Sequence, residues 1–336
     1  MTHSTNNTPQ PPELGTEPTP ESTGAAPSAA NTANREGQQQ PGSAMGLNKL
    51  SMRRLVFRRV TSNGLIMTGG AIVLGIVLLT IFGPLLVSRG PLDLNIPDRL
   101  QGPSSNYLLG TDNYGRDLLS RTLHGARVSV FVGFAVAILS TVIGYIIGMY
   151  SAYFRWADAI LMRICDGFMA FPAILLAIAL MAVLGAKTSN VVIALTVVFT
   201  PYVARVVRSS ALVVKEQTFI EALRAQGASS NRIIWLNMAP NVVSPAVIQA
   251  TFIFADSIIT EAALSFLGAG VPPPAPSWGN ILLDGKSLIF NNPWMTIVPG
   301  VAIVITVLGI NLLGDGLRDL FDPHTGRALK KGGGRK

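Results

Sequence analysis

Charge is scarce in this sequence. Asp, Glu, Lys and Arg make up 13% of its 336 residues, and apolar residues make up 49%. A soluble domain carries roughly twice that charge. The composition therefore argues against an ordinary soluble fold and asks for a membrane protein. Cysteine is nearly missing. Cys165 alone permits no intrachain disulfide and no thiolate metal cluster. His3, His124 and His324 are too far apart in sequence for metal-ligand spacing, so no metal ligands are assigned. No Ser/His/Asp or paired-carboxylate arrangement appears that would support hydrolysis. The formal charge of +8 would suggest nucleic acid in a soluble protein. Here it is read instead as the basic excess of cytoplasmic membrane loops, with no nucleic-acid partner.

A nucleotide site is also lacking. Gly279, Gly285, Lys286 and Ser287 approach the phosphate-loop pattern G-x-x-x-x-G-K-[ST], but its first glycine falls on Asn280. No strand is predicted before it, and backbone amides cannot cradle phosphates without the strand–loop–helix setting. The chain is read as having no ATP site of its own.

What is present is a set of long apolar runs: 65–87, 128–154, 160–184, 191–212, 242–267 and 293–313. Each is long enough at about 1.5 Å per residue to cross a hydrocarbon core of roughly 30 Å. The third is the least clean, because Arg163 and Asp166 lie near its start. Six crossings put both ends on one side. With the N-terminus inside, the inner flanks and loops hold 18 Lys and Arg and the outer loops hold 6. That asymmetry predicts N-in and C-in. The expected fold is all-α and polytopic, with the first helix peripheral and the last five forming the core.

The chain divides accordingly. Residues 1–50 form a cytoplasmic tail whose polar, Pro-rich composition reads as disordered, with no apolar core of a signal peptide. Residues 51–126 hold a basic patch, the first span and an extracytoplasmic loop. Residues 127–316 hold the other five spans. Residues 317–336 form a cytoplasmic C-terminal tail.

The most polar interval of the second half is 218–241, T-F-I-E-A-L-R-A-Q-G-A-S-S-N-R-I-I-W-L-N-M-A-P-N. It reads helix, break, helix. At 100° per residue Phe219, Ile220, Ala222 and Leu223 fall within about 160° of one another, with Glu221 and Arg224 on the other side. Gly227 ends the first helix and Pro240 marks entry to the next apolar run. A short amphipathic helix in a cytoplasmic loop is a surface made to be gripped by another protein.

Acids inside spans are functional candidates, because an uncompensated charge there costs several kcal/mol. Asp256 and Glu261 lie in the fifth run. Asp256 shares a face with Thr260, and Ser257 with Glu261. They read either as a polar wall along a translocation path or as structural hydrogen-bonding groups. Asp315 near the inner edge reads as structural. Asp158 with Arg163, and Asp166, mark the start of the third span. In the outer run L-G-T-D-N-Y-G-R-D-L-L-S-R, Asp112, Arg116, Asp117 and Arg121 read as a solvated network or as a contact surface for a partner.

E-A-L-R-A-Q-G (221–227) followed by I-I-W-L-N-M-A-P-N (233–241) resembles the EAA loop of binding-protein-dependent ABC importer permeases, E-A-A-x-x-x-G with a later L-P. Leu223 and Ala239 depart from that pattern conservatively. L-G-T-D-N-Y-G-R-D-L-L-S-R, G-A-R-V-S-V, E-A-A-L-S-F-L-G, P-S-W-G and N-L-L-G-D-G-L-R-D-L-F-D-P narrow the resemblance to the C-type permease of dipeptide and oligopeptide importers, over about 53–323. The resemblance implies a type I ABC importer permease fold in a bacterial inner membrane. It implies a second, homologous permease completing the pathway, two cytoplasmic ATPase subunits that bind ATP and Mg, and an extracytoplasmic peptide-binding protein. This chain would be a non-enzymatic subunit without cofactor, surrounded by membrane lipid. Phe219, Glu221, Ala222, Leu223, Gly227 and Pro240 would couple to an ATPase. Asp256, Thr260 and Glu261 would be candidates for the path, and Asp112, Arg116 and Asp117 for contact with the binding protein. Nickel complexes, glutathione or another small solute are alternative cargoes. An ion-coupled carrier acting alone and a scaffold without a pathway are competing readings.

Overall fold

In hydrocarbon, backbone N–H and C=O groups must be satisfied within the protein, and the apolar runs of this chain form helices. The structure, a computed structural model, describes residues 61 and 63–321. The tail 1–50, the basic patch 52–60 and the end of the C-terminal tail lie outside the described residues. Helix α1 spans Gly64–Leu86, α2 Leu118–Tyr153, α3 Arg155–Met169, α4 Ala173–Leu184 and α5 Thr188–Lys215. The short α6 spans Thr218–Ala225, α7 runs Ser230–Phe266, α8 spans Trp278–Gly285 and α9 Trp294–Phe321. The only β-type pairing among the described residues is an isolated bridge between Thr111 and Asp117.

Among the described residues, five helices are long and apolar enough to cross a membrane, and α3 with α4 makes a sixth if the pair is one broken span. Here the structure departs from the sequence reading, which drew a single run over 160–184. The chain bends by 95° between the two helices. Pro172 supplies no N–H and disfavours helical backbone at Phe171, so the first helix stops and a second begins.

Polar residues also extend α2 beyond the run predicted for it. Asp117 caps the helix, its Oδ1 accepting from the Leu119 N–H at 3.0 Å. Arg121, Thr122, Gly125 and Ala126 then bury themselves in protein rather than lipid. Helix α5 is the centre of the bundle. Val191, Leu195, Val203, Val207 and Ala211 are fully buried along it, in one cluster with residues of α2, α4 and α7.

Helix α1 lies at the periphery, with many of its apolar side chains exposed. It is nevertheless held against α9 at close range. A Cβ at Gly69 would collide with the Leu313 backbone nitrogen. Pro84 gives no N–H to the carbonyl of Thr80 four residues back. Arg127 of α2 fills that gap, its Nε donating to the Thr80 carbonyl at 2.9 Å and its Nη2 to that of Ile81 at 2.8 Å.

Candidate functional site

The loop between α5 and α7 is built to be rigid. Gly227 has φ +77°, in the left-handed region where a side chain costs about 1–2 kcal/mol. Its N–H bonds the Arg224 carbonyl at 3.0 Å, and the Ala228 N–H bonds the Leu223 carbonyl at 3.0 Å. This crossed pair closes α6 in a Schellman turn and satisfies carbonyls that a helix end leaves open.

The apolar face drawn from the sequence divides in two. Ile220 is fully buried and Leu223 packs on the main core, whereas Phe219 is 40% exposed and Ala222 is also exposed. Glu221, the exposed acid of the first turn, stands on the outward side with them, whereas Arg224, though exposed, reaches back to Tyr153. The wheel groups all four apolar residues, but only half of that arc meets this chain. The outward face thus combines an aromatic ring, a small residue and a carboxylate.

Contacts connect the loop to the membrane helices. Lys215 Nζ donates to the carbonyls of Ala152 and Tyr153 at 2.7 and 3.1 Å, at the end of α2. The Arg224 guanidinium lies 5.3 Å from the Tyr153 ring centre. Tyr153 meets Phe154 edge to face, Phe154 stacks on Tyr150, and Tyr150 meets Trp235 of α7. At Ile233–Met238 the helix α7 widens into a π-turn, the Ala239 N–H reaching the Ile234 carbonyl five residues back. Pro240 follows, unable to donate to the carbonyl of Leu236 in an ordinary α-helical bond. π-turns inside helices are frequent at functional sites. Motion of α6 would be felt by both α2 and α7.

The polar residues of α7 occupy different surroundings. Glu261 is fully buried. Its two oxygens accept from Ser129 of α2 at 2.8 Å and from Ser265 at 2.8 Å. Ser129 also accepts from the Trp278 N–H at 3.2 Å, joining α2, α7 and α8. Of the two readings, hydrogen bonding between helices is the one that matches these surroundings of Glu261. Asp256 is exposed on α7 and its carboxylate has no partner among the described residues. The Thr260 hydroxyl donates to the Asp256 backbone carbonyl at 2.7 Å. Asp158 pairs with Arg208 rather than Arg163, Nη2 lying 2.7 Å from the carboxylate, and Asp166 pairs with Arg205 at 2.6 Å. Both pairs tie α3 to α5.

Asp112, Arg116 and Asp117 are 0%, 8% and 9% exposed. Of the two readings given to this run, a network or a contact surface, the side chains are arranged as the network. Asp112 and Arg116 join Arg121 in a network that is buried rather than solvated, while the Asp117 carboxylate caps α2 beside it. Asp112 Oδ2 accepts from Arg116 Nε and Arg121 Nη1, both at 2.6 Å. Both arginines also reach Asp284 of α8, at 3.2 and 2.9 Å. Asp284, distant in sequence, gave no local signal of its part. Beside the network lies a cleft of about 340 Å³ lined by Tyr114, Arg116, Arg121, Pro273, Pro274 and Asp284. The near match to a phosphate loop is helical, occupying α8 with Ser277 as its cap, which accepts from the Asn280 N–H at 3.2 Å.

The family described as "Binding-protein-dependent transport system inner membrane component" matches residues 141–327. This chain belongs to that family. A second match, "N-terminal TM domain of oligopeptide transport permease C", covers residues 51–103 of this inner-membrane component. It is 46% identical over 82% of its length to a Brucella suis protein described as a peptide transport system permease, covering 91% of that protein. It is 42% identical over 80% of its length to the dipeptide transport system permease protein DppC of Alkalihalophilus pseudofirmus, covering 89% of it. A glutathione transport system permease protein, GsiD of Salmonella paratyphi A, is 41% identical over 80% of this chain and 90% of its own length. Among solved structures, an inward-facing MetNI methionine ABC transporter chain aligns with TM-score 0.52 at 22% identity, covering 60% of this chain and 97% of that one. The inner-membrane component therefore has the fold of an ABC importer permease and is a multi-pass membrane protein.

Proposed function

We propose that this chain is the permease subunit of an ATP-driven importer of di- and oligopeptides. It supplies half of the translocation pathway, a homologous permease supplies the other half, and two ATPase subunits bind ATP and Mg beneath them. The observation that carries the reading is the α6 loop. A rigid helix presents Phe219, Glu221 and Ala222 outward, while Ile220, Lys215 and Arg224 fix it to the helix bundle. A loop that transmits force needs a stiff element and a contact face that binds two partner states unequally. Closure of the ATPases pulls α6, and α6 moves α2 and α7.

The charge asymmetry supports an inner location for this loop and for both termini. The outer surface around exposed Tyr114 and the prolines of the cleft receives an extracytoplasmic binding protein, with the buried network holding that surface in shape. Peptide cargo is supported by the two peptide-transport relatives, each matching at least 80% of this chain. Glutathione, itself a tripeptide, is the second reading, supported by the relatives named for glutathione transport. Stimulation of ATP hydrolysis in the reconstituted complex, against peptides, glutathione and nickel chelates, separates these cargoes. Peptides should stimulate most. A response to a metal chelate with none to peptides would contradict the proposal.

A further inference from the structure

One feature of α7 is expensive to leave as it stands. Asp256 lies ten residues from the Phe266 end of the helix, roughly 15 Å at 1.5 Å per residue and so about half of a 30 Å hydrocarbon core. It is exposed and its carboxylate has no partner among the described residues. Asp158 and Asp166, near the start of the third span, are met by Arg208 and Arg205, and Glu261 by Ser129 and Ser265, while Asp315, also exposed, lies near the inner end of α9. A lone charge at that depth is not left against lipid. It faces the bundle interior or a water-filled passage. Gln249, two turns below, and Thr260, one turn above, share its face and are only part-buried, so three polar groups lie along this side of α7, with Phe252 and Ile253 at the turn between the first two. Substrate sites of membrane transporters lie near the midplane.

We propose that Asp256 is the cargo-contacting carboxylate of the pathway and that it receives the α-ammonium group of a peptide as it passes. This rests on the reading of the chain as a peptide permease and adds the atom that recognises the cargo. A carboxylate left without a cation among the described residues complements a cationic group, and every peptide with a free N-terminus carries one. Gln249 and Thr260 flank it with groups that hydrogen-bond a peptide backbone. The contact is transient: one charge pair, in a passage that must also release its cargo.

The test uses the complete complex with its binding protein in proteoliposomes, with Asp256→Asn, Asp256→Glu and, in a Cys165→Ser background, Asp256→Cys. In Asp256→Asn, peptide uptake should fall at least tenfold, while ATP hydrolysis stimulated by the loaded binding protein stays within twofold of wild type. Asp256→Glu should restore most of the uptake. Asp256→Cys should react with water-soluble charged thiol reagents, more slowly when peptide is being transported. The anionic sulfonatoethyl adduct should recover uptake and the aminoethyl adduct should not. Unchanged uptake in Asp256→Asn would overturn the proposal. So would a complex that no longer assembles, since the residue would then belong to the contact with the second permease. Equal recovery by both adducts would overturn it as well. A wild-type complex that hydrolyses ATP without moving any peptide would instead remove the peptide reading on which it rests.

Discussion

Two buried carboxylates set the clearest energetic demands on individual residues. Replacing Glu261 with Ala leaves the Ser129 and Ser265 hydroxyls without their acceptor, a loss of about 1–3 kcal/mol. Thermal melting of the detergent-solubilised protein should fall clearly for Glu261→Ala and less for Glu261→Gln, which keeps an acceptor in place. A melting curve for Glu261→Ala that overlays wild type would refute this account of the residue. Asp112→Ala is more severe, because it strips the main partner from Arg116 and Arg121. Removing one member of a buried ion pair costs roughly 3–5 kcal/mol. Asp284 has 29% of its side chain exposed, so water compensates there and Asp284→Ala should be milder. Monodispersity on size exclusion should rank the variants in that order. The sequence displays Asp112, Arg116 and Arg121 within one short motif, and their association is legible there. Asp284 lies more than 160 positions away and is joined only by the docking of α8, which no local pattern encodes.

The helices themselves show where apolar pattern suffices and where it fails. Runs of more than twenty apolar residues located the spans, because length and lack of charge are all that a bilayer demands. Their ends were misjudged where protein replaces lipid as the burying surface, as in the first turns of α2. The bend of α3 and α4 was missed although Pro172 was in plain view, since a proline inside a span can also be tolerated, as Pro201 is within α5. The wheel for α6 found an apolar arc but not which half of it the chain covers. At Gly227 the positive φ gives a sharper prediction. Gly227→Ala should cost about 1–2 kcal/mol of strain and loosen α6. Hydrogen exchange should then speed up at the Gly227-turn amides and leave those of α5 alone. Exchange unchanged at the turn would mean that the Schellman closure is not what stiffens the loop.

For the whole molecule, the family and fold follow from sequence matches across most of the chain, while its orientation and assembly are proposals with direct tests. In a Cys165→Ser background, a cysteine at exposed Ser287 should label from outside intact cells, and one at exposed Ser229 only after permeabilisation. The reverse pattern would invert the topology and place α6 on the wrong side for an ATPase. The central claim is that α6 is the mechanical joint between this chain and an ATPase, with Glu221 pairing to a basic group on that partner. The most direct measurement is ATP-dependent peptide uptake by the reconstituted complex carrying Glu221→Lys, read together with co-purification of the ATPase subunits. The account predicts uptake reduced at least tenfold and weakened capture of the ATPase, with the variant folded and in the membrane at wild-type levels. Wild-type uptake and full ATPase capture by Glu221→Lys would contradict it.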